Sequence, residues 1–190
     1  LEDRVITISR ARYSVDYPAS FMMISSMNPC PCGYFNHPEK ECQCGPGGVK
    51  KYLNKISGPL MDRIDIHIEI VPVPFRDLSE LREAEPSEKI RERVIAARDF
   101  QTQRFKKKNS VYCNAQMSSK LIRKHCELDT ASGKILKNAM EKLGLSARAY
   151  DRVLKVSRTI ADLERSENIE AHHISEAVNY RNLDREGWAG

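Results

Sequence analysis

Gly58-Pro59-Leu60-Met61-Asp62-Arg63-Ile64-Asp65-Ile66-His67-Ile68-Glu69-Ile70 runs from a turn through an Asp-Arg pair into an alternating segment. From Ile64 to Ile70 every second residue is apolar, with Asp65, His67 and Glu69 between, and this period of two predicts a half-buried strand. Arg63 stands one residue before it, so its guanidinium is expected at the strand mouth, near the surface. A planar, permanently charged fork in such a place can neutralise charge spread over phosphoryl oxygens. The alternative is an Asp62–Arg63 turn that makes only surface ion pairs, worth about 0 to 1 kcal/mol.

Two other segments bear on that choice. Phe21-Met22-Met23-Ile24-Ser25-Ser26-Met27-Asn28-Pro29 is an apolar run ending in an amide locked by proline. It reads as a buried parallel strand that delivers Asn28 to its C-terminal tip, where ligands bind in open α/β sheets. Taken alone, Asn-Pro reads first as the start of a turn. Leu145-Ser146-Ala147-Arg148-Ala149-Tyr150 opens a long helix in which Ala149, Val153, Val156, Ile160 and Leu163 form one apolar stripe. Arg152 and Lys155 read as a solvated basic flank. Arg148 falls in the first turn, where the helix dipole disfavours a cation, which suggests an anionic partner.

In chain order, 21–29, 58–70 and 145–150, the three segments resemble the motifs of magnesium-chelatase-like AAA+ ATPases, and closely those of the ComM/YifB branch, where Ser-Gly-Pro-Leu-hydrophobic-Asp-Arg-hydrophobic-Asp recurs in nearly this form. The resemblance covers the chain through about Asp184. It implies that Arg63 is an arginine finger reaching the neighbouring subunit's nucleotide, that Asn28 is sensor 1 near the γ-phosphate, and that Arg148 is sensor 2 acting within its own subunit. It further implies ATP and Mg²⁺ as ligands of the parent protein and a homo-oligomeric ring, a hexamer by analogy.

The fold class expected is α/β plus all-α. Residues 1–75 would be the C-terminal part of an AAA+ (P-loop NTPase) core and residues 76–190 a helical-bundle lid. A phosphate-binding loop needs G-x-x-x-x-G-K-[ST]. Gly133-Lys134 is followed by Ile135 and has Leu128 where the first glycine belongs, while Gly45-Pro46-Gly47-Gly48-Val49-Lys50 lacks both spacing and hydroxyl. There is also no apolar strand ending in an acidic pair for Mg²⁺. In the family both elements lie upstream of the equivalent of Leu1, so the chain reads as a piece of the motor and is expected not to hydrolyse ATP by itself.

The first segment raises DNA as a partner. Val5 to Ser9 and Tyr13 to Tyr17 alternate on either side of Arg10-Ala11-Arg12, the pattern of a β-hairpin with a basic tip. The resemblance makes it a pre-sensor hairpin, whose Arg10 and Arg12 would touch DNA phosphates. The other reading is an edge hairpin protected from aggregation by its charges. Similarity to the ComM branch implies DNA remodelling, such as helicase or branch-migration work in competence and recombination. Similarity to the chelatase subunit implies a motor acting on a protein partner instead.

Cys30-x-Cys32 and Cys42-x-Cys44 flank a Gly/Pro-bearing loop that contains His37. Four thiolates so paired can hold a structural Zn²⁺, although the one-residue spacing is tighter than the usual C-x₂₋₄-C. Free thiols, or disulfides formed after purification, are the other readings. A zinc-stapled DNA-binding module with no ATPase role is therefore a further hypothesis. Cys113 and Cys126 read as ordinary buried residues. Nothing near Cys30 supplies an oriented base, which argues against Cys-His catalysis.

The chain has 190 residues, 41% hydrophobic and 30% charged, with a formal net charge of +5. That is ordinary for a soluble globular protein and compatible with an anionic partner. No apolar run of about 18 residues suits a membrane span, and the N-terminus lacks the order of a signal peptide. No membrane partner is expected, and the cytoplasm is the expected compartment. Val71-Pro72-Val73-Pro74 stiffens the exit from the first part as a hinge. Beyond it, helices are predicted near 87–105, 116–126, 130–143, 147–165 and 171–181. Gly144 should end one helix and Ser146 cap the next. Phe105-Lys106-Lys107-Lys108-Asn109 is a basic connection, usually just solvated, that nucleic acid could use.

Overall fold

Val5–Arg10 (β1) and Tyr13–Pro18 (β2) pair antiparallel, with Ile8 opposite Val15 and Arg10 opposite Tyr13, so that Ala11 and Arg12 form the turn. Thr7 Oγ1 donates to Asp16 at 2.6 Å, and the Ser9 and Ser14 hydroxyls meet at 2.9 Å across the ladder. These cross-strand pairs fix the register on the polar face. The expected hairpin is thus present. The computed structural model describes residues 4–73, 84–108 and 110–181, and the chain divides into two compact units, the first ending at Arg63 and the second beginning at Ile64. The boundary expected at 75/76 lies outside the described residues, as do Pro74 of the expected hinge, Asn109 and Asp184.

In the first unit, the hairpin is followed by extended chain, the cysteine loop and two short helices, Gly48–Leu53 (α1) and Gly58–Met61 (α2). The buried strand expected at 21–28 does not form. Among the described residues this segment has no ladder partner, and Phe21, Met22 and Ile24 are exposed by 61%, 83% and 84%. Periodicity and apolarity supply a strand's side chains, but its backbone needs a neighbour to accept its hydrogen bonds.

Ile64–Ile70 departs from expectation in a more informative way. Among the described residues this segment joins no sheet, and its alternation differs from expectation: His67 is buried while Ile66, Ile68 and Ile70 are exposed. Its polar groups attach it to the helices. Arg152 Nη1 meets Asp65 Oδ1 at 2.5 Å, His67 N–H donates to the Tyr180 carbonyl at 2.8 Å, and the Arg181 guanidinium donates to the Ile64 carbonyl. A period of two defines two faces, and whatever packs against the strand chooses which one turns in. Here the second unit presents arginines and a carbonyl, so Asp65 and His67 turn inward while Glu69 stays exposed. Arg152 is accordingly not the solvated flank residue expected, and Lys155 likewise donates to the Ala115 carbonyl at 3.0 Å.

The second unit is helical: Ser87–Phe105 (α3), a 3₁₀ turn at Asn114–Gln116, Ser119–His125 (α4), Thr130–Leu143 (α5), Ala147–Leu163 (α6) and Ala171–Asn179 (α7). Local signals set the boundaries. Asp129 caps α5 through the Ser132 N–H at 2.7 Å, Gly144 ends it at φ 61°, and Ser146 caps α6 through the Ala149 N–H at 3.2 Å. Phe105, Leu121, Ile122, Leu136, Val153, Leu154, Ile160 and Ile174 fill the core around α6. No described helix is long and apolar enough to cross a membrane.

One face of α6 buries charge as well. Arg104 grips Asp162 with both terminal nitrogens at 2.7 and 2.5 Å, Arg158 Nε adds a contact at 3.1 Å, and the Asn114 amide donates at 2.8 Å. Arg158 spends its other two nitrogens on the carbonyls of Glu167 and Ser166. Arg158 and Asp162 are 3% and 2% exposed, so this network joins α3, the 3₁₀ turn, α6 and the loop after it in a region sealed from water.

A smaller clasp ties α6 to α7. Glu170 N–H donates to His173 Nδ1 at 2.8 Å, which leaves the proton on Nε2 to face Glu164 at 3.0 Å. His172 Nε2 meets the same carboxylate oxygen at 2.8 Å. The bond to Glu164 raises the His172 pKa, and the bond to His172 lowers that of Glu164. The clasp therefore stabilises the fold most between the two groups' ordinary values of 4.5 and 6.5. Its contribution is lost as pH rises through the elevated His172 pKa and as pH falls through the depressed Glu164 pKa. His172→Gln is expected to flatten the decline of Tm on the alkaline side of pH 6.5, which a series of thermal melts against pH will check.

Candidate functional site

Cys30, Cys32, Cys42 and Cys44 come together from two sides of one loop. Sulfur separations are 3.3 Å for Cys30–Cys32, 3.7 Å for Cys30–Cys42, 3.6 Å for Cys32–Cys42 and 3.5 Å for Cys32–Cys44. All four sulfurs lie within 4.8 Å of one another. A tetrahedron of sulfurs about 2.3 Å from a zinc ion has edges of about 3.8 Å, so the donor set and its size both fit Zn²⁺. The loop achieves this despite its tight spacing because Gly33, at φ 83°, turns the chain and donates its N–H to the Cys30 carbonyl at 3.0 Å. Phe35 N–H then points at Cys30 Sγ at 3.3 Å. His37 is not part of the cluster's ligand set, since its Nδ1 accepts the N–H groups of Glu39 and Lys40 at 3.1 and 3.2 Å.

The four thiols do not ionise alike. The backbone N–H of Tyr34 and neighbouring donors bring Cys32 down to about 6. Cys44 is pushed up to about 12: its bond with the Cys32 backbone opposes the rise, but burial and the adjoining thiols outweigh it. Negative charge on one sulfur makes the next harder to form, and a cation at the centre would relieve that conflict. Cys126, by contrast, is an isolated thiol in the helical unit that burial pushes up to about 12, which leaves it neutral and unreactive.

The motif residues lie in turns, in irregular chain and at the ends of a helix and a strand. Arg63 follows the single turn of α2, half-buried, and its Nη1 donates back to the Pro59 carbonyl at 2.7 Å. Asn28 is exposed just before the cysteine loop. Arg10 ends β1 and Arg12 lies in the hairpin turn, both exposed. Arg148 is exposed in the first turn of α6, two residues after the Ser146 cap. Close by on the same helix, Tyr150 and Asp151 border a cavity of about 550 Å³ floored by Ile122, Leu128 and Leu154. Arg63, Asn28, Arg10 and Arg12 belong to the first unit and Arg148 to the second.

Sequence reasoning missed the Asp65–Arg152 tether and the Asp162 network. The second left a signal, because Arg158 and Asp162 stand four apart on one helix, the spacing at which opposite charges meet.

Comparison with known proteins agrees with this layout. The family described as magnesium chelatase, subunit ChlI, matches residues 1–78, and its C-terminal counterpart matches residues 84–181. Competence protein ComM of Haemophilus influenzae is 39% identical over 186 residues, 97% of this chain and 35% of that protein. YifB of Escherichia coli is 40% identical over 188 residues, again 97% and 35%. A Mycobacterium tuberculosis protein is 30% identical over 181 residues, 95% of this chain and 35% of its own length. The chain thus spans about a third of the curated relatives it matches. With both family matches falling in order along the same chain as the three motif segments, the chain belongs to the magnesium chelatase ChlI family.

Proposed function

We propose that this chain is the C-terminal part of a ring-forming AAA+ motor that couples ATP hydrolysis to DNA remodelling, with a partial P-loop core up to about residue 75 and a helical lid beyond it. Asn28 senses the γ-phosphate, Arg148 contacts the nucleotide of its own subunit, and Arg63 reaches that of the neighbour. ATP and Mg²⁺ are ligands of the longer protein. The observation that carries the reading is that all three residues are exposed or half-exposed, Arg63 just after a helical turn, Arg148 in the first turn of a helix and Asn28 in irregular chain, where a ligand's phosphates can approach them. The exposed arginines of the hairpin turn and the similarity to a protein named for competence favour DNA over a protein substrate. The test is ATP hydrolysis by a chain lengthened to include the relatives' phosphate-binding segment. Stimulation by DNA supports the reading, whereas turnover indifferent to DNA favours a chelatase-like motor with a protein partner.

The four-thiol cluster supports a structural zinc in the same protein. Purified chain is expected to carry one zinc per molecule by elemental analysis. Cys32→Ser should lose it and lower Tm, while Cys113→Ser should do neither. Metal-dependent, tight DNA binding by this chain, together with no ATPase in the lengthened one, would favour the zinc-stapled binding module.

A further inference from the structure

From Phe100 to Cys126 the chain contains no aspartate or glutamate, yet it holds Arg104, Lys106, Lys107, Lys108, Lys120, Arg123 and Lys124. The whole chain has 31 Lys and Arg against 26 Asp and Glu, so removing these seven leaves 24 against 26. The net positive charge of the protein is therefore concentrated in this one segment. We propose that Lys106, Lys107, Lys108, Lys120 and Lys124 form a nucleic-acid contact on the helical unit, separate from the hairpin arginines and directed at the phosphate backbone irrespective of base sequence. The proposal deepens the DNA reading above and rests on it for the class of polyanion.

The fold gathers these charges. The Phe105 and His125 rings meet edge to face with centroids 5.8 Å apart, which sets the C-terminal ends of α3 and α4 side by side. Lys108 N–H donates to the Phe105 carbonyl at 2.7 Å, so the lysine run turns over that junction. Lys120 and Lys124 are one turn apart on α4, and all five lysines are exposed. His125, between the two groups, registers their field: burial lowers its pKa, and Arg104, Lys124, Arg158 and Lys108 lower it further. Arg104 is already committed to Asp162 and is not counted in the contact. Arg123 is left out as well, because it borders the cavity that also contains Asp151.

Helix-dipole stabilisation accounts for a cation in the last turn of a helix, such as Lys124. It does not account for three successive lysines beyond the end of α3 or for the missing carboxylates. Among macromolecular partners, nucleic acid fits best. Protein interfaces are depleted of lysine and centre on aromatic and arginine anchors, whereas phosphate backbones are met by dispersed lysines that release counterions.

The test is fluorescence anisotropy of a labelled mixed-sequence oligonucleotide with the 190-residue chain, titrated at several KCl concentrations. Three variants are compared: Lys107→Gln/Lys108→Gln/Lys124→Gln, Arg10→Gln/Arg12→Gln, and a charge-matched control on α5, Lys134→Gln/Lys137→Gln/Lys142→Gln. The first is expected to weaken binding and to reduce the slope of log affinity against log salt by about three, with the control unchanged. Circular dichroism verifies that each variant is folded. An equal loss in the α5 control, or no change in the first variant, overturns the proposal. If only the hairpin variant loses binding, the DNA reading stands and the lysine contact falls; if only the lysine variant does, the hairpin role falls and the lysine contact stands. Displacement by polyglutamate but not by unlabelled DNA overturns it in favour of an acidic protein partner. A wild-type chain that binds no oligonucleotide at about 50 mM KCl overturns it whatever the ATPase measurement gives.

Discussion

Arg63→Ala, placed in a chain lengthened to include the phosphate-binding segment, is expected to reduce ATP turnover by about 10³- to 10⁵-fold, the range over which arginine fingers act. The size follows from where the charge develops. In phosphoryl transfer the equatorial oxygens gain negative charge in the transition state, and a guanidinium that meets them only then lowers the barrier without tightening ground-state binding. The effect should therefore appear in kcat more than in KM. Arg63→Lys should recover little, since an ammonium cannot reproduce the planar fork. Mixing Arg63→Ala subunits with subunits that have a dead phosphate loop but an intact Arg63 should restore part of the activity, because each supplies what the other lacks across an interface. If turnover is unchanged by Arg63→Ala, the side chain acts only within its own fold, through contacts such as its bond to the Pro59 carbonyl, each worth on the order of 1 kcal/mol.

Asp162→Ala should destabilise the helical unit by about 3 to 5 kcal/mol, because it leaves two guanidinium groups facing each other without their shared anion. Arg158, 3% exposed, cannot relax into water, although its bonds to the Glu167 and Ser166 carbonyls hold it in place. Replacing Arg104, Arg158 and Asp162 together by apolar residues of similar volume should cost much less than the single change, since no charge is then stranded. Urea denaturation followed by circular dichroism distinguishes these outcomes. Equal destabilisation by the single and triple variants would mean that shape, and not charge balance, holds this region. For contrast, the Arg93–Glu85 pair at 3.0 Å has both side chains about half exposed, and its loss should cost less than about 1 kcal/mol.

The helical unit was legible because its signals are local. Asp129, Gly144 and Ser146 mark helix ends through bonds to backbone groups three or four residues away, and the apolar stripe of α6 is written at a spacing that any helix would expose. The hairpin was legible for the same reason, its register being fixed by a two-residue turn. The cysteine cluster was legible as two pairs, though its closure depended on a left-handed Gly33 that spacing alone does not reveal. The strand readings at 21–28 and 64–70 failed in the described residues because a strand is completed by partners remote in sequence.

By itself, then, the sequence determined the long helices of the second unit, the helix ends at Gly144 and Ser146, the hairpin and the carboxylate-free basic segment. Each of these depends on neighbours along the chain or on composition. Only the tertiary structure decided which face of Ile64–Ile70 turns inward, that Arg152 binds Asp65, that Asp162 anchors two arginines, and that the lysines after α3 lie beside the end of α4. These depend on which groups meet across long stretches of chain, where burial makes an unmatched charge costly and so selects one arrangement.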